Sequence, residues 1–291
     1  MIFGFLASLT WGTTFFFGKY GWKCGVDPIF LAFGRYLVAA VLLGALALAM
    51  RGPEMRSTVR QHPAALFFLG LTGIFGMGAL GFAALRYTTS INTSILMNAN
   101  PIFTVVLAAL IGERISFDKL FGVVAGLAGC LLVVTGGTTT SFTFSPVEIV
   151  GCLLAVGSAM CWSLYTIYGK GIVREHGSLV ATTCAMVVGV VLFVGYMSLA
   201  RTPVSLAPRT LLVILYLGVV PTAIGFLIWY IALATEDASR LAPLQFTAPL
   251  CTAVLGWTFL GERMTCVSVA GMCLIFAGIY VASIRAKAKS A

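Results

Sequence analysis

Charge is scarce in this chain. Asp, Glu, Lys and Arg make up 9% of its 291 residues, where a soluble globular domain carries about 25%. So few charges cannot cover a water-facing surface, which excludes an ordinary soluble globule. Acids are the scarcer kind, nine against 18 Lys and Arg, and all nine stand at the ends of apolar runs or between them. Both histidines, His62 and His176, also fall outside those runs, and neither H-E-x-x-H nor G-x-S-x-G occurs. Enzyme chemistry inside a membrane therefore has no visible catalytic group. The absence of a Walker A sequence excludes direct drive by ATP. No C-x-x-C occurs, and Cys130, Cys152, Cys161, Cys184, Cys251 and Cys273 sit inside apolar runs. They read as small buried hydrophobes, not as disulfides or metal ligands. The expectation is no enzyme, no metal and no cofactor. The cations are scattered, with no block beyond the tail Arg285, Lys287 and Lys289, so nucleic acid is not an expected partner.

What is present is apolar length. Hydrophobic residues make up 60% of the chain and mean hydropathy is +1.04, so the lipid bilayer is the expected solvent. A spanning helix takes about 20 apolar residues. Ten such segments are predicted, at 2–20, 28–50, 64–85, 89–111, 118–136, 146–169, 178–200, 209–233, 239–260 and 265–284. They show no strand-like alternation and are twice a barrel strand's length. The first run has no basic leader or cleavage site and reads as a retained helix, not a signal peptide.

The cations set the topology. With the N-terminus inside, inner loops hold Arg51, Arg56, Arg60, Arg114, Lys119, Lys170, Arg174, Arg240, Arg285, Lys287 and Lys289. Outer loops hold Lys19, Lys23, Arg86, Arg201, Arg209 and Arg263, and Arg35 lies within the second segment. The expectation is a multi-pass protein of the inner or plasma membrane with both termini cytoplasmic.

The chain also repeats itself. WGTTFFFGK, from Trp11 to Lys19, returns as WSLYTIYGK, from Trp162 to Lys170. Ala84-Leu85 through Pro101 corresponds to Ala232-Leu233 through Pro249, and Gly112-Glu113-Arg114 to Gly261-Glu262-Arg263. Each copy carries five segments. Five is odd, so the second copy enters the membrane from the opposite face. The expected fold is an all-α membrane protein of ten transmembrane helices in two inverted five-helix repeats, 2–136 and 146–284, followed by a short basic cytoplasmic tail, 285–291. Inverted repeats are the architecture of alternating access.

This pattern resembles the drug/metabolite transporter superfamily, specifically proteins with two EamA-type domains. The residues that carry the resemblance are Trp11-Gly12 with Lys19, Asp27-Pro28 with Arg35, and Pro101 and Pro249, each followed by Gly-Glu-Arg. It covers nearly the whole chain and implies a central cavity between the halves and export of small metabolites such as amino acids. Trp162 is followed by Ser163 where the first copy has Gly12, which sets the two tryptophans apart.

Several residues are candidates for handling a small-molecule substrate. Arg35 is a charge in an apolar run, where it needs a cavity, water or a partner; it attracts a substrate carboxylate or braces backbone carbonyls. In SINTSILMNANPIF, Asn98 and Asn100 lie about 200° apart on the helix, so one faces the cavity and the other a neighbouring helix. The matching SRLAPLQFTAPL offers Gln245. Pro101, Pro243 and Pro249 interrupt these two segments, the helix breaks that point to a binding site. Trp11, Trp162, Tyr165 and Tyr230 supply walls suited to an apolar or aromatic group, or pack the core. Lys19 and Lys170 either anchor helix ends at the head-groups or act as gates. Gly122 and Gly126 form a small-residue face for internal packing or for a homodimer. The rival readings are a multidrug exporter of the same fold, and a membrane enzyme or scaffold that transports nothing. With no carboxylate mid-membrane, facilitated diffusion or exchange is expected over proton coupling.

Overall fold

A computed structural model of the chain describes residues 2–110, 117–135, 145–235, 244–245, 247–261 and 265–288. Pro243, Glu113, Arg114, Glu262 and Arg263, and the side chains of Pro101, Lys170 and Tyr230, lie outside what is described. The described residues contain no strand. In chain order they form α1 (Ile2–Lys23), α2 (Pro28–Gln61), α3 (Pro63–Ala84) and α4, which comes in two pieces, Ser90–Met97 and Asn100–Leu110. Then come α5 (Phe117–Thr135), α6 (Pro146–His176) and α7 (Ser178–Ala200). In α8, Pro208–Leu217, Gly218–Ile224 and Gly225–Thr235 join end to end, and α9 (Thr247–Leu260) and α10 (Cys266–Ala288) follow. Segments of α2, α3, α6, α7 and α8 are long and apolar enough to cross a membrane, which makes this a multi-pass membrane protein.

Local chemistry sets the helix ends. The Asp27 carboxylate accepts from the Ile29 amide at 2.8 Å and caps α2 ahead of Pro28, whose missing N–H is harmless in a first turn. Ser145 and Glu148 form a reciprocal capping box at the start of α6. Gly177, at φ +77°, stops α6 in a backbone conformation that favours glycine. Two helices outrun the sequence reading. The expected end of α2 at residue 50 is only a kink: Arg51 leaves helical geometry at φ −141°, two residues before Pro53, and the helix resumes to Gln61. The second piece begins with the proline in its first turn, where it fits. Past Lys170, α6 continues to His176. In both, a cation that reads as the end of a span is part of a helix that extends beyond the apolar stretch.

Two features went unforeseen. Gly70–Gly76 of α3 and Gly218–Ile224 of α8 are π-helical. They lie 148 residues apart (218 − 70), the same offset that relates Ala84 to Ala232. The second feature is an exchange between the halves. A methyl added at Gly70 would meet Val188 of α7 at 2.5 Å, and one added at Gly218 would meet Val38 of α2 at 2.5 Å. Each π stretch therefore packs on the other half's second helix.

Elsewhere the bundle is ordered by polarity. Large apolar side chains such as Val41, Leu153, Leu199 and Phe259 point outward, as lipid permits. Hydroxyl groups turn inward and bond across helices: Ser158 donates to the Met77 carbonyl at 2.7 Å, Ser163 to that of Asn100 at 2.8 Å, and Thr252 to that of Gly12. In lipid a buried polar group without a partner is costly, so these contacts fix the helices. The described cysteines are free thiols.

The helices α5 and α10 pack closely. A methyl at Gly278 would lie 2.8 Å from the Ala125 Cβ and 3.0 Å from the Gly122 carbonyl, so α10 runs close against α5 at Gly122 and Ala125. Likewise a Cβ at Gly129 would fall 2.5 Å from the Gly271 carbonyl oxygen. Gly129→Ala is expected to destabilise the protein by about 1–3 kcal/mol, read as a lower melting temperature in detergent. Gly126→Ala, which meets nothing within 4 Å, should leave the melting temperature unchanged or slightly raised.

Candidate substrate cavity

The helices of both halves leave a half-open cavity between them. Trp11 and Phe15 of α1, Phe82 of α3, Trp162 of α6 and Phe226 of α8 give it aromatic walls. Arg35 of α2, Ser94, Asn98 and Asn100 of α4, Ser158 of α6 and Gln245 bring polar groups to it.

The charge comes from α2. Arg35 is 6% exposed. It donates to the Tyr36 hydroxyl, and its Cζ lies 4.3 Å from the Tyr36 ring centroid and 5.0 Å from that of Phe82. Two aromatic faces thus stabilise the cation and hold the guanidinium in place, and Tyr36 itself stacks on Phe193. No carboxylate pairs with Arg35 among the described residues, and its Nε has no hydrogen-bond partner. The Trp11 indole N–H is likewise buried and unpartnered. The cavity is therefore rich in donors and short of negative charge, a setting that favours a ligand bringing acceptors.

The aromatic wall is continuous. Trp11 meets Trp162 edge-on at 6.2 Å between centroids, Phe226 at 5.8 Å and Trp229 at 5.0 Å, and Trp162 also meets Phe226 at 5.9 Å. The two repeat-related tryptophans thus come together at the centre of the molecule from helices of opposite halves.

Of the residues the sequence singles out, Trp11, Arg35, Asn98, Trp162 and Gln245 line this cavity. Tyr165 sits a layer behind, stacked on Trp162 at 5.5 Å, with its hydroxyl 3.4 Å from that of Thr182. Asn98 closes the first piece of α4, its amide donating to the Ser94 carbonyl at 2.7 Å. Asn100 opens the second piece, donates to the Met97 carbonyl at 3.2 Å, and also lines the cavity. Pro249 is buried in the first turn of α9. Sequence reasoning missed Phe82, Ser158 and Phe226. The repeat itself carries a signal for two of them, since Phe82 corresponds to Tyr230 and Phe226 to Gly78 at the 148-residue offset.

Lys19 is not part of the cavity lining. Its ammonium donates to the carbonyls of Leu85 and Thr88, each at 2.7 Å, just past the end of α3. Beside it Asp27, already capping α2, pairs with Arg86, and Lys23 donates to the Leu260 carbonyl of α9 at 2.8 Å. The ends of α1, α2, α3 and α9 are tied together at this end of the bundle.

Comparison with known proteins places this geometry. The sequence matches the EamA-like transporter family over residues 1–135 and again over 149–284. It is 31% identical to an uncharacterized transporter of Archaeoglobus fulgidus, with 96% of each chain covered. It is 28% identical to a "probable amino-acid metabolite efflux pump" of Salmonella typhimurium, covering 96% of this chain and 93% of that one. It is 27% identical to the aromatic amino acid exporter YddG of Ancylobacter novellus, covering 87% and 86%. A solved crystal structure, 24% identical, has a similar fold across 100% of this chain and 98% of its own, with a TM-score of 0.76.

Lys19→Met should leave the buried Leu85 and Thr88 carbonyls short of a donor, at a cost of about 1–3 kcal/mol, seen as a drop in melting temperature in detergent. A lysine that only touched head-groups would give no such drop.

Proposed function

Because the chain belongs to the EamA-like transporter family, we propose that it exports small carboxylate-bearing metabolites, foremost amino acids with apolar or aromatic side chains, by alternating access across the cell membrane. One observation carries the substrate class. Arg35 is buried at the cavity wall, free of any carboxylate among the described residues, and faces a space walled by aromatic rings. A ligand carboxylate would complete the guanidinium's bonding, and an apolar side chain would lie against Trp11, Trp162 and Phe226. The names of the Salmonella typhimurium and Ancylobacter novellus relatives point the same way.

The alternating-access part rests on ten spanning helices in two inverted halves. Contacts at the helix ends support it. Lys19, near the end of α1, bonds the end of α3. Gly151, near the start of α6, packs against Tyr87 and Thr88 at that same end. The last turn of α6 meets His62, at the start of α3, through Glu175. So α1 and α6, the two Trp-to-Lys helices, run in opposite senses along α3. With both termini cytoplasmic, as the Lys and Arg distribution favours, Lys19 lies outside and Lys170 inside. All nine acids of the sequence stand at segment ends or in loops, which favours facilitated diffusion or exchange over proton coupling.

The test is a thermal-shift screen of purified protein against amino acids, their methyl esters and cationic dyes, followed by flux in liposomes. Free acids with apolar side chains should raise the melting temperature by mass action, and esters and dyes should not. Arg35→Gln should weaken acid binding about ten- to hundredfold, the worth of a charge-assisted hydrogen bond, and Trp162→Ala should lower flux. Esters binding as well as acids, or Arg35→Gln binding normally, would remove Arg35 from the site. Dyes that compete would move the reading to a multidrug exporter. Separately, flux in the same liposomes should survive collapse of a pH gradient; loss of flux on that treatment would establish proton coupling.

A further inference from the structure

At the end of the bundle away from Lys19, two histidines and a glutamate converge outside the cavity. His62 is the junction between α2 and α3, and Glu175 and His176 are the last two residues of α6. One ligand atom from each can be chosen so that all three lie within 4.8 Å of one another. The His62 Nε2 stands 3.4 Å from Glu175 Oε2, and the His176 Nε2 stands 3.5 Å from Glu175 Oε1. The rings meet edge to face with centroids 5.2 Å apart. Each oxygen of the one carboxylate thus serves a different imidazole.

The distances discriminate between two kinds of contact. A charge-assisted N–H···O bond closes to about 2.7–2.9 Å, and these do not. Both Nε2 atoms are shielded from water, and neither makes a hydrogen bond. Two donor atoms on a tetrahedral metal with bonds of about 2.0–2.1 Å stand about 3.3 Å apart, and each imidazole nitrogen stands about that far from one oxygen of the Glu175 carboxylate, a different oxygen in each case. Two imidazoles and a carboxylate are a ligand set suited to a borderline divalent cation, with a fourth position left for water.

We propose that His62, Glu175 and His176 bind one divalent transition-metal cation of the zinc class, which ties the start of α3 to the end of α6. Those helices belong to opposite halves and both line the cavity, through Phe82 on α3 and Trp162 on α6. The cation is a staple between them at one end of the bundle, and holding them together restrains the rocking that transport requires. The effect on flux rests on the transporter reading; the binding of metal does not.

The experiment uses tag-free protein in detergent and Zn²⁺ alone, followed by calorimetry. Wild type should bind one Zn²⁺ per chain. His62→Gln and His176→Gln should each weaken binding about tenfold or more, since even indirect perturbation of metal ligands costs that much. Glu175→Gln should weaken it as well. Melting temperatures without metal check that each variant folds. Co²⁺ in place of Zn²⁺ gives a second readout: wild type should show the intense visible absorption of a tetrahedral ion, and the His62→Gln/His176→Gln variant should not. Equal Zn²⁺ binding by wild type and that double variant, or no saturable binding by wild type, overturns the site. In liposomes Zn²⁺ should slow wild-type flux and spare the double variant. Zinc binding without slowing removes the staple, whereas absence of flux in metal-free liposomes counts against the transporter reading alone.

Discussion

The bilayer offers a protein no hydrogen-bond partners, and the rest of this structure answers to that constraint. Polar groups must find partners inside the bundle, so its interior holds Ser158, Ser163, Thr252 and Arg35 while Leu153 and Leu199 face outward. Apolar lipid gives no hydrophobic drive for helices to associate. Close approach at glycines and hydroxyl-to-carbonyl bonds does that work. The reciprocal contacts of Gly70 with Val188 and Gly218 with Val38 are the clearest case. They cross between the halves, so neither half completes its packing alone, and the cavity sits at the seam they create.

The scaffold is nearly symmetric but its chemistry is not. Trp11 and Trp162 meet as counterparts, and Met97 and Gln245, which correspond at the 148-residue offset, both line the cavity. Arg35 breaks the pattern. At the 150-residue offset that relates Val38 to Val188 in the matched contacts of Gly218 and Gly70, its counterpart is Ala185, buried and uncharged. Under the proposed function, duplication would supply a pathway that can face two ways, and a single unduplicated guanidinium would give that pathway its sign. Its cation–π partners, Tyr36 and Phe82, hold it in place without neutralising it.

Much of this was legible in the sequence, for reasons that also explain what was not. Apolar length and the repeat revealed a helical membrane bundle, because hydropathy and duplication are one-dimensional properties. Arg35 stood out because a charge in an apolar run is rare. Phe82 did not, since an aromatic residue in such a run looks the same whether it packs a core or lines a cavity. The ends of α2 and α6 were misread because Arg51 and Lys170 mark where apolar sequence stops, and a helix need not stop there. The role of Lys19 was hidden because its acceptors are backbone carbonyls 66 and 69 positions away. No local pattern records them.

The matched π stretches set the phase of everything after them. A π turn holds more residues than an α turn, so each stretch shifts the angular register of the helix beyond it. Were Gly70–Gly76 to run on as plain α-helix at its present length, Met77, Gly78 and Phe82 would swing about 100° around the axis. The ring that cradles the guanidinium would then look elsewhere. The same change in Gly218–Ile224 would turn Phe226 away from the two tryptophans. In a chain of this kind, the winding of these two segments decides which faces meet in the middle.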